Sequence, residues 1–165
     1  MGFLDADAPV TPASVAFAVS ELASADAVIA SRWHELSSSE RKQPFSRLAL
    51  SKTWNLLARL TLALDVKDTQ CGAKLFRKKA VMQILPQVTL RNWAFDAALL
   101  FHLHRAGFKI VEVPVNWSDD PNTKLEVGRV APAMFLSLIG IRLMSISFLP
   151  RTTRAWASWF YRQFM

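Results

Sequence analysis

The chain has 165 residues, enough for one domain with a substantial core, and carries a formal charge of +7 with a pI near 10.1. That balance calls for an anionic partner, whether nucleic acid, a phosphorylated substrate or a membrane surface, while the single Cys71 excludes an intramolecular disulfide and a cysteine zinc set. The acidic start lacks the basic n-region of a signal peptide, and no apolar run reaches the ~18 residues expected of a spanning helix.

Phe3-Leu4 reads as a short buried strand that ends in Asp5-Ala6-Asp7 and is stopped by Pro9. Two carboxylates at a turning strand end can converge on one hard cation, magnesium or manganese, in the crevice outside the strand ends. On the motif alone, a solvated turn with a helix cap remains the alternative. Thr11-Pro12 is a helix start, with Thr11 as cap and Pro12 at the first helical position. A helix over 13–23 then presents Val15, Val19 and Leu22, and Ala27 to Ala30 is a buried strand ending in Ser31-Arg32. Strand, helix and strand joined by short connectors imply a parallel pair, with the aspartate strand at a sheet edge or beside strands the chain lacks.

Ser37 to Gln43 is polar, without apolar period, and reads as a mobile loop. From Phe45 to Leu64 the spacing is helical. Arg47, Ser51, Lys52, Asn55 and Arg59 share a narrow face, and Leu48, Trp54, Leu56, Leu57, Leu60 and Leu64 cover much of the rest. This suits either a core helix with one wet stripe or a helix at a membrane interface whose cations meet phosphates.

The most specific block is Asp68-Thr69-Gln70-Cys71-Gly72-Ala73-Lys74-Leu75-Phe76-Arg77, a polar turn leading to an apolar pair and a basic cluster. Gly72 permits a positive φ or a close backbone approach to a ligand. Ala80 to Leu85 is a short helix ended by Pro86, and Asn92 to Arg105 a longer one stopped by Gly107. His102 and His104 lie two apart on that helix, so they face different ways and read as surface or packing residues. Lys109 to Trp117 alternates as a strand with Val111, Val113 and Val115 on one side, and Pro114 confines it to an edge or bulge. Ser118 to Lys124 is a polar loop. Ala131 to Pro150 is apolar but broken by Gly140 and Arg142, and the tail interleaves Arg151, Arg154 and Arg162 with Trp156, Trp159, Phe160 and Tyr161. Such a pattern suits a bilayer headgroup region, with a core helix and frayed tail as the alternative.

Taken together, these motifs resemble the family 2 glycosyltransferases of the GT-A fold that load a sugar onto a polyprenyl phosphate, most closely those of the dolichyl-phosphate glucosyl type. The resemblance rests on Leu4-Asp5-Ala6-Asp7, Ser31-Arg32, Asp68-Thr69-Gln70-Cys71-Gly72 with Lys74-Leu75-Phe76, Trp93-Ala94-Phe95-Asp96, and Val113-Pro114-Val115-Asn116-Trp117 followed by Lys124-Leu125. It implies an α/β fold, an incomplete GT-A domain with a mixed sheet, flanking helices and amphipathic membrane-interface helices. The catalytic part would cover 1–128 and the interface helix with its basic-aromatic tail 129–165.

By the same resemblance, Asp5 and Asp7 bind Mg²⁺ or Mn²⁺ at the donor diphosphate, and Asp68 and Asp96 lie in the catalytic pocket. Arg32 and Arg47 grip the acceptor phosphate, while Lys74 and Lys124 complete the substrate contacts. The implied partners are a nucleotide-diphosphate sugar, UDP-glucose first, a polyprenyl phosphate and a membrane surface on its cytoplasmic face. No nucleic acid is expected, since no RNA-binding or DNA-reading signature accompanies the charge. A phosphate monoester, with its second pKa of about 6, is mostly dianionic at pH 7, so no strong general base is needed. Direct displacement would invert the anomeric carbon.

The chain departs from the family where Ala73 replaces a phenylalanine and where Ala98 replaces a glutamate two residues after Asp96. Pro9 stands where mannose-transferring members carry glutamine, which favours the glucosyl type. The family's nucleotide-binding strands and helices have no counterpart before Met1. The expectation is therefore the C-terminal part of a longer domain or a mis-started frame, a truncated form whose own activity is in question and whose exposed sheet edge is an aggregation hazard. A non-catalytic basic membrane-surface module is the alternative function.

Overall fold

The computed structural model describes residues 1–6, 9–39, 45–88, 94–118 and 127–145, without the side chains of 46, 47 and 127–130. Four strands form a mixed sheet in the order β1 (Gly2–Leu4), β4 (Ala73–Phe76), β2 (Ala27–Ser31), β5 (Ile110–Pro114). β4 is antiparallel to both β1 and β2, whereas β2 and β5 are parallel, with Ile29 opposite Glu112. The parallel relation expected between the first two strands is present, but β4 lies between them, so they do not pair directly. A second, two-stranded sheet joins β3 (Ser38–Ser39) to β6 (Asn116–Trp117).

All five residues of β2 are buried, as a strand flanked on both sides by others requires. β5, with Pro114, lies at the sheet edge, where the missing N–H costs no ladder bond. β1 forms the opposite edge.

The helices are α1 (Pro12–Glu21), α2 (Phe45–Leu62), α3 (Lys78–Ile84), α4 (Phe95–Arg105) and α5 (Val127–Ser145). α1 begins as its residues dictate, with Thr11 Oγ1 accepting the Ser14 N–H at 3.4 Å and Pro12 in the first turn. Its inward face differs from the expected one: Ser14 and Ala18 are buried, whereas Val19 is 54% exposed. Pro86 sits in a 3₁₀ turn, Leu85–Gln87, that closes α3.

α2 and α4 end alike. Ala63 at φ 53° and Gly107 at φ 77° each adopt the left-handed conformation, and the next N–H reaches back five residues, Leu64 to Arg59 O and Phe108 to Leu103 O, both at 3.1 Å. α5 packs on α2 and α4, and its Leu138 and Ile141 join the core built on Val28, Ile29, Leu100 and Phe101. No helix among the described residues is long and apolar enough to cross a membrane. Asn92 and Trp93, the loop after Ser118 and the tail from 146 lie outside the described residues.

Candidate functional site

The segment 67–72 leads into β4, and four elements converge on it. Asp68 is fully buried. Its carboxylate accepts from the Arg32 backbone N–H at 2.9 Å, from Arg32 Nε at 2.8 Å and Nη2 at 2.9 Å, and from the Gln70 N–H at 3.3 Å. This is a forked arginine–carboxylate pair, the strongest kind of charge-assisted hydrogen bond. The guanidinium also lies 5.8 Å from the ring centroids of both Trp33 and Trp117, and the Arg32 side chain retains 19% exposure. Lys52 of α2 reaches the Trp33 ring at 5.4 Å, so two cations meet the same indole.

Asp5 follows β1 and is joined to the same segment by its N–H, which donates to Gly72 O at 2.8 Å. A β-carbon at Gly72 would stand 2.5 Å from Asp5 Oδ2 and 2.9 Å from Pro9 Cγ. Glycine is therefore required here for close approach to a carboxylate rather than for a positive φ, and the backbone has made room for an oxygen donor.

Lys74 occupies the central strand β4, between Phe3 of β1 and Ile29 of β2, which is why its side chain is 0% exposed. Its ammonium donates to Cys71 O at 2.5 Å, lies 5.5 Å from the Phe3 ring centroid and pairs with Asp96 Oδ1 at 3.0 Å. Asp96 Oδ1 is buried and has no well-directed hydrogen bond, so this contact is ionic. Asp96 stands in the first turn of α4, where the helix dipole also favours its charge. Among the described residues the lysine thus pairs with one carboxylate, Ala98 supplying none. Between these two pairs lies the Cys71 thiol, pushed up to about 11 by burial first and by the Asp68 carboxylate second, so it stays protonated at neutral pH.

The fold brings Asp5, Arg32, Asp68, Lys74 and Asp96 around the segment 67–74. Arg47 lies on α2 with its side chain undescribed, and Asp7 and Lys124 lie outside the described residues. Among the described residues no group of three or more His, Cys, Asp or Glu side chains gathers as a metal cage.

Four contributors were not foreseen in these roles. Asn55, placed on the wet face of α2 by periodicity, is buried, and its Oδ1 accepts both the Thr69 N–H at 2.7 Å and the Thr69 hydroxyl at 2.8 Å. Leu56 and Leu60 are instead 52% and 72% exposed. Glu112 of β5 accepts the Lys67 and Asp68 N–H groups at 2.8 and 2.9 Å. Trp33 and Trp117 frame Arg32. A lone amide in a leucine-rich helix and a lone carboxylate in a valine strand were the available signals, since each needs a partner once buried.

Relatives similar to this chain in sequence are named as glycosyltransferases. The chain is 36% identical to glycosyltransferase AglD of Haloferax volcanii over 63% of its own length and 16% of the relative's. It is 31% identical to dolichyl-phosphate beta-glucosyltransferase of Dictyostelium discoideum, over 61% of the chain and 31% of the relative. The enzyme of that name from Homo sapiens is 30% identical, over 58% of the chain and 29% of the relative. The chain thus spans less than a third of the length of these curated relatives, and the resemblance carried by its motifs stands as a partial match. No family model matches the chain.

Proposed function

We propose that the chain is part of an inverting glycosyltransferase of the GT-A type that moves glucose from a nucleotide-diphosphate sugar, UDP-glucose first, to a dolichyl-type polyprenyl phosphate. The observation that carries this is the Arg32–Asp68 fork framed by two tryptophans, in a chain whose relatives are named for glucosyl transfer to dolichyl phosphate. Asp68 holds the Arg32 guanidinium toward the site, where it and Arg47 meet the acceptor phosphate. Bringing two anions together is the main electrostatic task, and fixed cations perform it at little reorganisation cost. Lys74 fixes the Asp96 carboxylate at the head of α4, and Lys124 is assigned to the donor diphosphate.

Oxygen donors at Asp5, backed by the glycine cradle, suit magnesium or manganese, which keep waters and ligand phosphates in their shell. Asp5 and Asp7 would hold the ion, which when bound neutralises charge on the departing diphosphate. The membrane reading is supported by the exposed apolar side chains of α2, Phe45 at 84%, Leu56 and Leu60, and we assign the enzyme to the cytoplasmic face as part of the same proposal. The same residues favour a second reading, a basic membrane-surface module without catalysis.

The test is a transfer assay with labelled UDP-glucose and polyprenyl phosphate, using the chain and its Asp5→Asn/Asp7→Asn form. Metal-dependent formation of a β-linked lipid sugar, lost in the double variant, is expected. Full activity of that variant would remove the metal role, and an α-linked product would remove inversion. Membrane binding without transfer would favour the second reading.

A further inference from the structure

The fork between Arg32 and Asp68 is itself held by a clamp. Glu112 reaches across from the edge strand β5, and its two carboxylate oxygens take the consecutive N–H groups of Lys67 and Asp68 at 2.8 and 2.9 Å. Asn55 reaches from α2 and takes both donors of Thr69, while its own Nδ2 donates to Ser51 O at 3.0 Å. Three consecutive residues, 67 to 69, are therefore bound by side chains from a strand and a helix, not by any strand ladder. Bonds on three consecutive N–H groups restrain this backbone, and with it the Cα–Cβ bond from which the buried Asp68 carboxylate meets Arg32. Glu112 and Asn55 bind the backbone that carries Asp68, and Asp68 in turn binds Arg32.

We propose that Glu112 and Asn55 are positioning residues that clamp the 67–69 backbone so that Asp68 aims the Arg32 guanidinium at the acceptor phosphate. The inference rests on the acceptor role proposed above for Arg32. Charged hydrogen bonds of this kind are worth enough that losing one should weaken phosphate-dependent binding roughly tenfold.

The test measures binding of the full chain to vesicles of neutral lipid carrying either polyprenyl phosphate or the matching uncharged polyprenol. Glu112→Gln, which turns an acceptor into a donor facing an N–H, should lower the preference for the phosphate-bearing vesicles roughly tenfold. In an Asp68→Asn background the same change should add nothing, because the clamp then has no carboxylate to aim. A merely structural role would lower binding to the same degree in both backgrounds, and that additive result would overturn the proposal. If Glu112→Gln does not fold, Thr69→Val releases the clamp from the Asn55 side and should show the same non-additivity. No preference for phosphate in the unaltered chain would instead overturn the acceptor role of Arg32 and the clamp with it. A preference that survives Glu112→Gln undiminished overturns the clamp alone.

Discussion

Replacing Gly72 with alanine would drive a β-carbon to 2.5 Å from Asp5 Oδ2 and 2.9 Å from Pro9 Cγ. Something must shift, and overpacking of this kind costs about 1–3 kcal/mol. Gly72→Ala should therefore lower the denaturation midpoint and raise the concentration of magnesium or manganese needed in the transfer assay. An unchanged metal requirement would separate the glycine from any ion at Asp5. Cys71 makes a pH prediction. Its thiol rises from the ordinary 9.0 to about 11 in the folded chain, chiefly through burial. The unfolded chain then releases the proton first, so the folded chain holds more protons between those values and stability falls as pH rises. The contribution is fully present below pH 9.0 and lost on the climb to about 11. Urea unfolding of the chain and of Cys71→Ala across that window should show the stability difference shrinking, and a constant difference would reject the account.

Helix ends carry the clearest predictions at the scale of elements. α2 and α4 close with the same five-residue reach, but α4 places glycine in the left-handed position and α2 places Ala63 there. A residue with a β-carbon pays roughly 1–2 kcal/mol for that conformation. Ala63→Gly should stabilise the chain by up to about 1 kcal/mol, read as a raised thermal midpoint, after the extra flexibility glycine brings to the unfolded state. At the other end of a helix, Thr11→Ala removes the α1 cap and should cost about 1 kcal/mol. If the Ala63 change destabilises, the closure of α2 is held by packing rather than by backbone conformation.

For the molecule as a whole, the question is which surfaces face a partner. α2 turns Asn55, Ala58 and Leu62 inward and leaves Phe45, Leu56 and Leu60 outward, beside an exposed Lys52. Apolar side chains next to cations fit a headgroup boundary. Leu56→Glu/Leu60→Glu should reduce flotation with anionic vesicles severalfold while leaving the thermal midpoint nearly unchanged, since both side chains lie outside the core. Equal flotation of the double variant would take α2 out of the membrane reading.

Periodicity, caps and turn chemistry made much of the fold legible. The buried strand at 27–30, the Thr11-Pro12 helix start, the Gly107 stop and the edge position of Pro114 are local consequences of residue type, and the structure carries them all. The motif residues Asp5, Arg32, Asp68, Lys74 and Asp96 were nameable through the family resemblance that their sequence blocks carry. Tertiary structure alone decided how they pair. Lys74 became a buried partner of Asp96 because β4 enters between β1 and β2, an order no local pattern specifies. Asn55 turned inward because α2 buries its Ala58 and Leu62 face against the core, and a buried amide then needs the Thr69 donors. Glu112 and Asp68 are 44 residues apart in the chain and meet only because β5 lies beside β2. Charge and spacing determine which groups are available, whereas the strand order determines which of them neutralise one another, because ion pairs and hydrogen bonds act only over a few ångströms.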